Sequence, residues 1–482
     1  MEQLLEIIEL QSWIYSILTI GYAATIVSCI AVILSENRNP IKSLAWLTVL
    51  IFFPVVGLIF YIFFGRNPKG HHTLMRHQKR KLLHRFGGRH LSLKDINISG
   101  INKQIVKLAD TTGCTPLTLG NEIECFTSGS AKFEALKADL HSAHDYILLQ
   151  YYIFTDDHVG HEIADILIDK AKEGVTVKVI YDHVGSFSVK SRFYDRMRAA
   201  GIDAQPFLRV TFPQFASRLN WRNHRKIVVI DGEVGYIGGM NIADRYVESI
   251  KGNAPWRDTH FRVRGAIINS LLYSFASDWS YMGRPLPTTD RYFSQVNIKN
   301  NVGIQLITSG PDSRWPNIAL AYHKAISGAK KSIFIQTPYF LPTDDLLKGL
   351  QTAALSQVDV RIMIPRHSDS YLLNWASFSY VAQCLQAGIK IYLYENRMIH
   401  SKMMIIDDDM ISVGSANFDF RSFEHNFESN IFVFDHDFNA QMRTIFFKDL
   451  THCTKLTYTR WRHRPFHQKV MESIVRLLSP IL

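Results

Sequence analysis

The sequence predicts an α/β fold in which two tandem repeats pack about a pseudo-twofold axis, preceded by an N-terminal hairpin of two transmembrane helices. Three observations carry this reading. The pattern His-x-Lys-x-x-x-x-Asp occurs twice, the strand and helix patterns around it recur in the same order, and two uncharged runs of 22 residues stand near the N-terminus. A chain of 482 residues with 47% hydrophobic and 12% aromatic side chains has material for a large core, which excludes a disordered chain. Its five cysteines (Cys29, Cys114, Cys125, Cys384, Cys453) form no Cys-x-x-Cys pair, which fits a reducing compartment and argues against a thiolate zinc site.

Taken in order, residues 13–34 and 43–64 are each long enough to cross a bilayer as a helix. The first twelve residues carry Glu2, Glu6 and Glu9 and no Lys or Arg, which a cleavable signal peptide does not. Segment 66–89 then holds Arg66, Lys69, Arg76, Lys79, Arg80, Lys81, Arg85 and Arg89 without an acid, against only Arg38 and Lys42 in the loop 35–42. The basic side is expected in the cytoplasm, giving a multi-pass membrane protein with the region beyond the spans cytoplasmic. These cations make up most of the net charge of +11, so the basicity is local, and anionic lipid headgroups are its natural partner.

Beyond the membrane region, Tyr146-Ile-Leu-Leu-Gln150 matches Ser332-Ile-Phe-Ile-Gln336 as a buried strand. A helical pattern follows each. Next come Val175-Thr-Val-Lys-Val-Ile-Tyr-Asp182 and Val358-Asp-Val-Arg-Ile-Met-Ile-Pro365, then helices ending at Gly201 and Gly388, where glycine suits a C-cap. The first copy carries about ten extra residues, placed within 209–219. The expected boundaries are 1–65 for the membrane hairpin, 66–125 for a basic linker leading into the catalytic region, 126–290 for the first repeat (motif 219–246), 300–450 for the second (motif 395–422) and 451–482 for an amphipathic tail.

The motifs themselves are His224-Arg-Lys226-Ile-Val-Val-Ile-Asp231 and His400-Ser-Lys402-Met-Met-Ile-Ile-Asp407. One match is expected by chance in roughly one chain in twenty of this length, two in about one in a thousand. The copies stay in step, since Gly238-Gly239-Met-Asn241 and Gly414-Ser415-Ala-Asn417 follow at the same offset. On a strand, the His and the Lys two positions later share a face and reach a common ligand. Asp231 and Asp407 sit at an odd offset, in expected hairpin turns, away from that ligand.

Paired imidazoles and paired ammonium groups are the parts for chemistry on a phosphodiester. One imidazole attacks phosphorus while the other protonates the leaving alkoxide and then deprotonates the incoming hydroxyl. Lys226 and Lys402 neutralise the phosphoryl oxygens and Asn241 and Asn417 donate amide hydrogen bonds, so the scheme requires no metal ion and no organic cofactor. Asp258 and Glu428, one downstream of each motif, are the carboxylates placed to orient the imidazoles.

On these residues the chain resembles the phospholipase D superfamily. The segment Asn39-Pro40 through Trp46, Pro54, Gly57, Tyr61 and Phe64-Gly65-Arg66-Asn67, with the tail Val475-Arg-Leu-Leu-Ser-Pro480-Ile-Leu482, is similar to the two ends of bacterial cardiolipin synthases. The resemblance implies that two phosphatidylglycerol molecules become cardiolipin and glycerol, with His224 as nucleophile and His400 as general acid and base. The catalytic set it implies is His224, Lys226, Asp231, His400, Lys402 and Asp407. A membrane-anchored hydrolase, a nuclease and a non-catalytic lipid scaffold are the rival readings. The cations cluster beside the membrane and no long basic stripe with interleaved aromatics runs through the repeats, so nucleic acid is not an expected partner.

Overall fold

A computed structural model describes residues 2–35, 40–61, 98–210, 221–248, 254–284, 292, 298, 302–395 and 397–478, and the chain divides into an N-terminal helical unit and a large α/β unit. The basic segment 66–89, the end of the expected second span at 62–64, nearly all of the insert 209–219 and residues 479–482 lie outside the described residues.

In the N-terminal unit, helix Glu2–Ser35 contains Ile8–Ala31, the one helix among the described residues long and apolar enough to cross a membrane, with mean hydropathy 1.8. The second apolar run differs from the single long helix expected of it. It forms two helices, Pro40–Phe52 and Pro54–Phe60. Pro54 brings no N–H to continue the ladder, and Phe53 before it leaves the helical region at φ −130°, ψ 66°. Thirteen residues reach about 20 Å at ~1.5 Å each, short of a hydrocarbon core of about 30 Å. Gly57 permits the fold-back, because a Cβ there would lie 2.7 Å from the Val49 carbonyl oxygen. Ile33, Leu50 and Tyr61 are buried together, with Trp46 edge-on to Tyr61 at 5.4 Å.

In the α/β unit the first repeat builds a seven-stranded sheet from β1 (Asn121–Phe126), β2 (Tyr146–Tyr151), β3 (Thr176–Asp182), β4 (Asp203–Phe207), β5 (Ile227–Ile230), β6 (Val234–Gly238) and β7 (His260–Gly265), in the order β1-β7-β6-β5-β2-β3-β4. The second repeat supplies β8 (Gly303–Ser309), β9 (Ser332–Gln336), β10 (Phe340–Leu341), β11 (Asp359–Pro365), β12 (Lys390–Tyr394), β13 (Met403–Ile406), β14 (Met410–Gly414), β15 (Phe418–Asp419), β16 (Glu428–Phe434) and β17 (Cys453–Lys455). Eight of them form the sheet β17-β12-β11-β9-β13-β14-β16-β8, with β10 and β15 as a separate pair. In both sheets three strands run parallel, β2-β3-β4 and β9-β11-β12, and the motif hairpin, β5-β6 or β13-β14, continues antiparallel.

Alternation decides which core each strand feeds. Tyr146, Leu148, Ile227 and Val229 of the first sheet share a core with Met403, Ile405, Ile411, Val413, Ile431 and Val433 of the second. The intervening Ile147, Leu149, Val228 and Ile230 face helices of their own repeat instead. The repeats are therefore joined by a common core rather than by a linker.

Two boundaries differ from those expected. Ile105, Val106 and Ala109 of helix Gly100–Thr111, with Cys114 and Leu117, pack into the outer core of the second repeat, and Thr118 pairs with Ile304. At the other end, β17 pairs with β12, so chain beyond residue 450 still completes the second sheet. The tail helix Phe466–Leu478 then packs along helix Tyr371–Ser379.

Candidate active site

Each motif begins just before a short apolar strand whose antiparallel partner ends beside it: Gln150 faces Ile227, and Gln336 faces Met403. This puts His224 and His400 at the C-terminal edges of the parallel strands. Two short parallel bridges, Asn223 with Phe427 and Arg257 with Ile399, tie each motif to the other repeat. The His224 N–H donates to the Phe427 carbonyl at 2.9 Å and the His400 N–H to the Arg257 carbonyl at 2.7 Å.

The bridges cross the carboxylates over. Glu428 of the second repeat stands 3.0 and 3.1 Å from His224 Nδ1, and Asp258 of the first stands 2.7 Å from His400 Nδ1. Each imidazole is thus held by the other repeat's acid, which the spacing of the two acids did not reveal. With Nδ1 engaged, the tautomer is set and Nε2 is left for chemistry. Lys226 Nζ donates to the His224 carbonyl at 2.6 Å, and Lys402 Nζ likewise reaches the His400 carbonyl and lies 2.7 Å from His400 Nδ1.

The aspartates of the motifs lie elsewhere. Asp231 accepts from the backbone N–H of His144, Asp145 and Tyr146 at 2.6 to 2.9 Å, and Asp407 accepts from Lys330, Lys331 and Ser332 at 2.7 to 2.9 Å. Both occupy the left-handed region, φ 52° and 49°, in the turn closing the motif hairpin. They staple the far ends of β2 and β9, a full strand from the imidazoles. Asn241 does reach the histidine neighbourhood: its Nδ2 donates to Tyr246 Oη, which is 3.2 Å from His400 Nδ1. The buried side-chain Oδ1 of Asn417 has no hydrogen-bond partner among the described residues.

Residues 136–259 and 322–450 match the family described as cardiolipin synthase, PLD-like domain, and residues 23–66 match the phospholipase D-nuclease N-terminal family. The major cardiolipin synthase of Bacillus subtilis (strain 168) is 39% identical over 476 residues, covering 97% of this chain and 99% of that one. The cardiolipin synthase of Geobacillus kaustophilus (strain HTA426) is 38% identical, over 96% and 94%. The chain belongs to the cardiolipin synthase family of the phospholipase D superfamily. A crystal structure of phosphatidylserine synthase from Haemophilus influenzae Rd KW20 shares the fold, with a TM-score of 0.61 at 15% identity, over 78% of this chain and all of that one.

In this cardiolipin synthase family member the two halves of the site are electrostatically unequal. Burial pushes the His224 imidazole down to about 4, with Lys226 and Lys402 acting in the same direction against Glu428. His400 is also pushed down, by burial and then by Lys402. Burial alone would raise Glu428, but His224 and Lys226 outweigh it and hold the carboxyl below its usual range. Ser415 Oγ and Asn426 Nδ2 donate to it as well. Asp258 is pushed up to about 6 by burial, despite Lys402 and Arg257. Burial brings Lys402 down to about 8 and pushes Lys226 well below its ordinary value.

Several site residues carried no motif signal. Tyr152 stands edge-on to His224 at 4.9 Å, and Trp256 lies 5.3 Å from His400. Beneath the two junctions are buried ion pairs, Arg225 with Asp278 and Arg257 with Asp449 at 2.6 Å. The landmark glutamines complete them, Gln150 Nε2 donating to Asp278 at 2.5 Å and Gln336 Nε2 to Asp449 at 2.8 Å. Both arginines come from the first repeat, and Ser401 and Phe427 occupy the matching positions of the second. Only the recurrence of the glutamines pointed toward this layer.

Proposed function

We propose that the protein transfers a phosphatidyl group from one phosphatidylglycerol to the terminal hydroxyl of another, giving cardiolipin and glycerol, at one site built by both motifs. The observation that carries the reading is the crossed pairing of His224 with Glu428 and His400 with Asp258. His224 attacks phosphorus through Nε2, and Glu428, whose carboxylate form His224 and Lys226 favour, balances the positive charge that the imidazole gains in the phosphohistidine. His400 protonates the departing glycerol oxygen and then takes the proton of the incoming hydroxyl. Asp258, which gains a proton near pH 6, suits the partner that must share in proton traffic. Burial disfavours the charged form of both imidazoles. A phosphodiester anion between Lys226 and Lys402 offsets their push on His400, so that the acid acquires its proton as substrate binds.

Water exclusion decides between transfer and hydrolysis. The helix containing Ile8–Ala31 anchors the protein. The cation-rich segment 66–89 is the feature that favours a cytoplasmic catalytic region. Thin-layer chromatography of radiolabelled phosphatidylglycerol with the purified protein tests the reading. Cardiolipin with an equal amount of glycerol supports it; phosphatidic acid without cardiolipin identifies a membrane-anchored hydrolase.

A further inference from the structure

Two exposed aromatic residues of the α/β unit occupy equivalent places in the repeats. Phe187 is 78% exposed and follows β3; Tyr371 is 80% exposed, with Leu372 beside it, and follows β11. Strands β3 and β11 are counterparts, and both end at the edge where the histidines lie. Asp182, at the end of β3, accepts from the Asn223 N–H at 2.9 Å, one residue before His224. Asp369, two residues before Tyr371, acts electrostatically on His400. The two side chains therefore flank the site from its two halves, although no substrate phosphate needs an apolar group there.

A third apolar surface joins them. Tail helix Phe466–Leu478 packs on the helix that begins at Tyr371, burying Glu472 and Val475. Glu472 pairs with Arg464, and Arg476 lies over the Tyr380 ring. The remaining face presents Phe466, Val470, Ile474 and Leu477 at helical spacing, all exposed, the last at 82%. Exposed Arg460 and Arg462 precede it. An apolar stripe with cations at its border suits an anionic lipid surface, where side chains bury in the acyl boundary and cations meet phosphates.

The geometry points to a bilayer-docking face on the catalytic unit, formed by Phe187, Tyr371 with Leu372, and the stripe Phe466, Val470, Ile474 and Leu477. The occupant is the membrane itself. Both substrates of the proposed transfer have acyl chains that stay in the bilayer, so a cleft rimmed by inserted aromatics receives headgroups without extracting the lipid. These side chains would orient the cleft toward the bilayer.

The test uses the full-length wild-type protein in vesicles of phosphatidylglycerol and phosphatidylethanolamine containing a little phosphatidylcholine with an acyl-chain diazirine. After photolysis, labelled peptides are mapped by mass spectrometry. Leu355, 67% exposed on helix Asp344–Leu355, is the internal control. Labelling around Phe187, Tyr371–Leu372 and the tail stripe at least about fivefold above Leu355 is expected from side chains inserted at the acyl boundary. Label confined to the N-terminal helix, or equal at Leu355 and these three places, would overturn the proposal.

Discussion

His224 and His400 are 8% and 6% exposed, each with Nδ1 bound to a buried carboxylate, so neither is free to turn and each has a single nitrogen for chemistry. Alanine at either position is expected to lower turnover by about 10⁴-fold or more, since groups acting as a unit fail together. Lys402 sets the alkaline limit: its charge is present below about pH 8 and lost above, so kcat/KM for phosphatidylglycerol should fall as pH rises through that value. A profile flat to pH 10 would remove the buried ammonium from the account. The motif aspartates answer to a different assay. Asn at position 231 tolerates the left-handed backbone but loses the charge shared by three N–H groups, so Asp231→Asn should cost about 2 kcal/mol in denaturant unfolding. At this scale the histidines, lysines and acids were legible because the motifs repeat, and the odd offset already set the aspartates apart. The partner of each imidazole was not legible, because similar placement of Asp258 and Glu428 carries no information on which histidine each meets.

Each motif strand is four apolar residues bounded by charge, and that pattern alone located Ile227–Ile230 and Met403–Ile406. The following glycines act through space. A Cβ on Gly239 would lie 2.2 Å from Asp258 Oδ1, so Gly239→Ala should push the carboxylate off His400 and lower kcat by about 10²-fold, the scale of an ångström-level misplacement. Ser415, at the matching position, already uses its space to donate to Glu428. Hydropathy alone did not resolve the second apolar run, because counting apolar residues registers Pro54 as one more member of the run, while the backbone registers it as a break. The helix Gly100–Thr111 was likewise hidden: its apolar face is short, and its partner lies some 200 residues along the chain.

On the scale of the whole molecule, duplication supplies two incomplete half-sites and the shared core fixes them as one. The repeats, their order and the α/β class were readable from recurrence, whereas the crossing of acids between halves emerges only when the sheets are packed. Because the proposed chemistry is carried by imidazoles and ammonium groups, turnover in excess EDTA should equal turnover without it, as measured by cardiolipin formed per minute. The central claim is the division of labour between His224 and His400, and a phosphatidyl ester of p-nitrophenol isolates it, because that leaving group needs no proton. With His400→Ala, a burst of about one nitrophenolate per protein is expected, with a phosphatidyl adduct on the peptide holding His224. His224→Ala should give neither, and a burst from His224→Ala with an adduct at His400 would contradict the assignment.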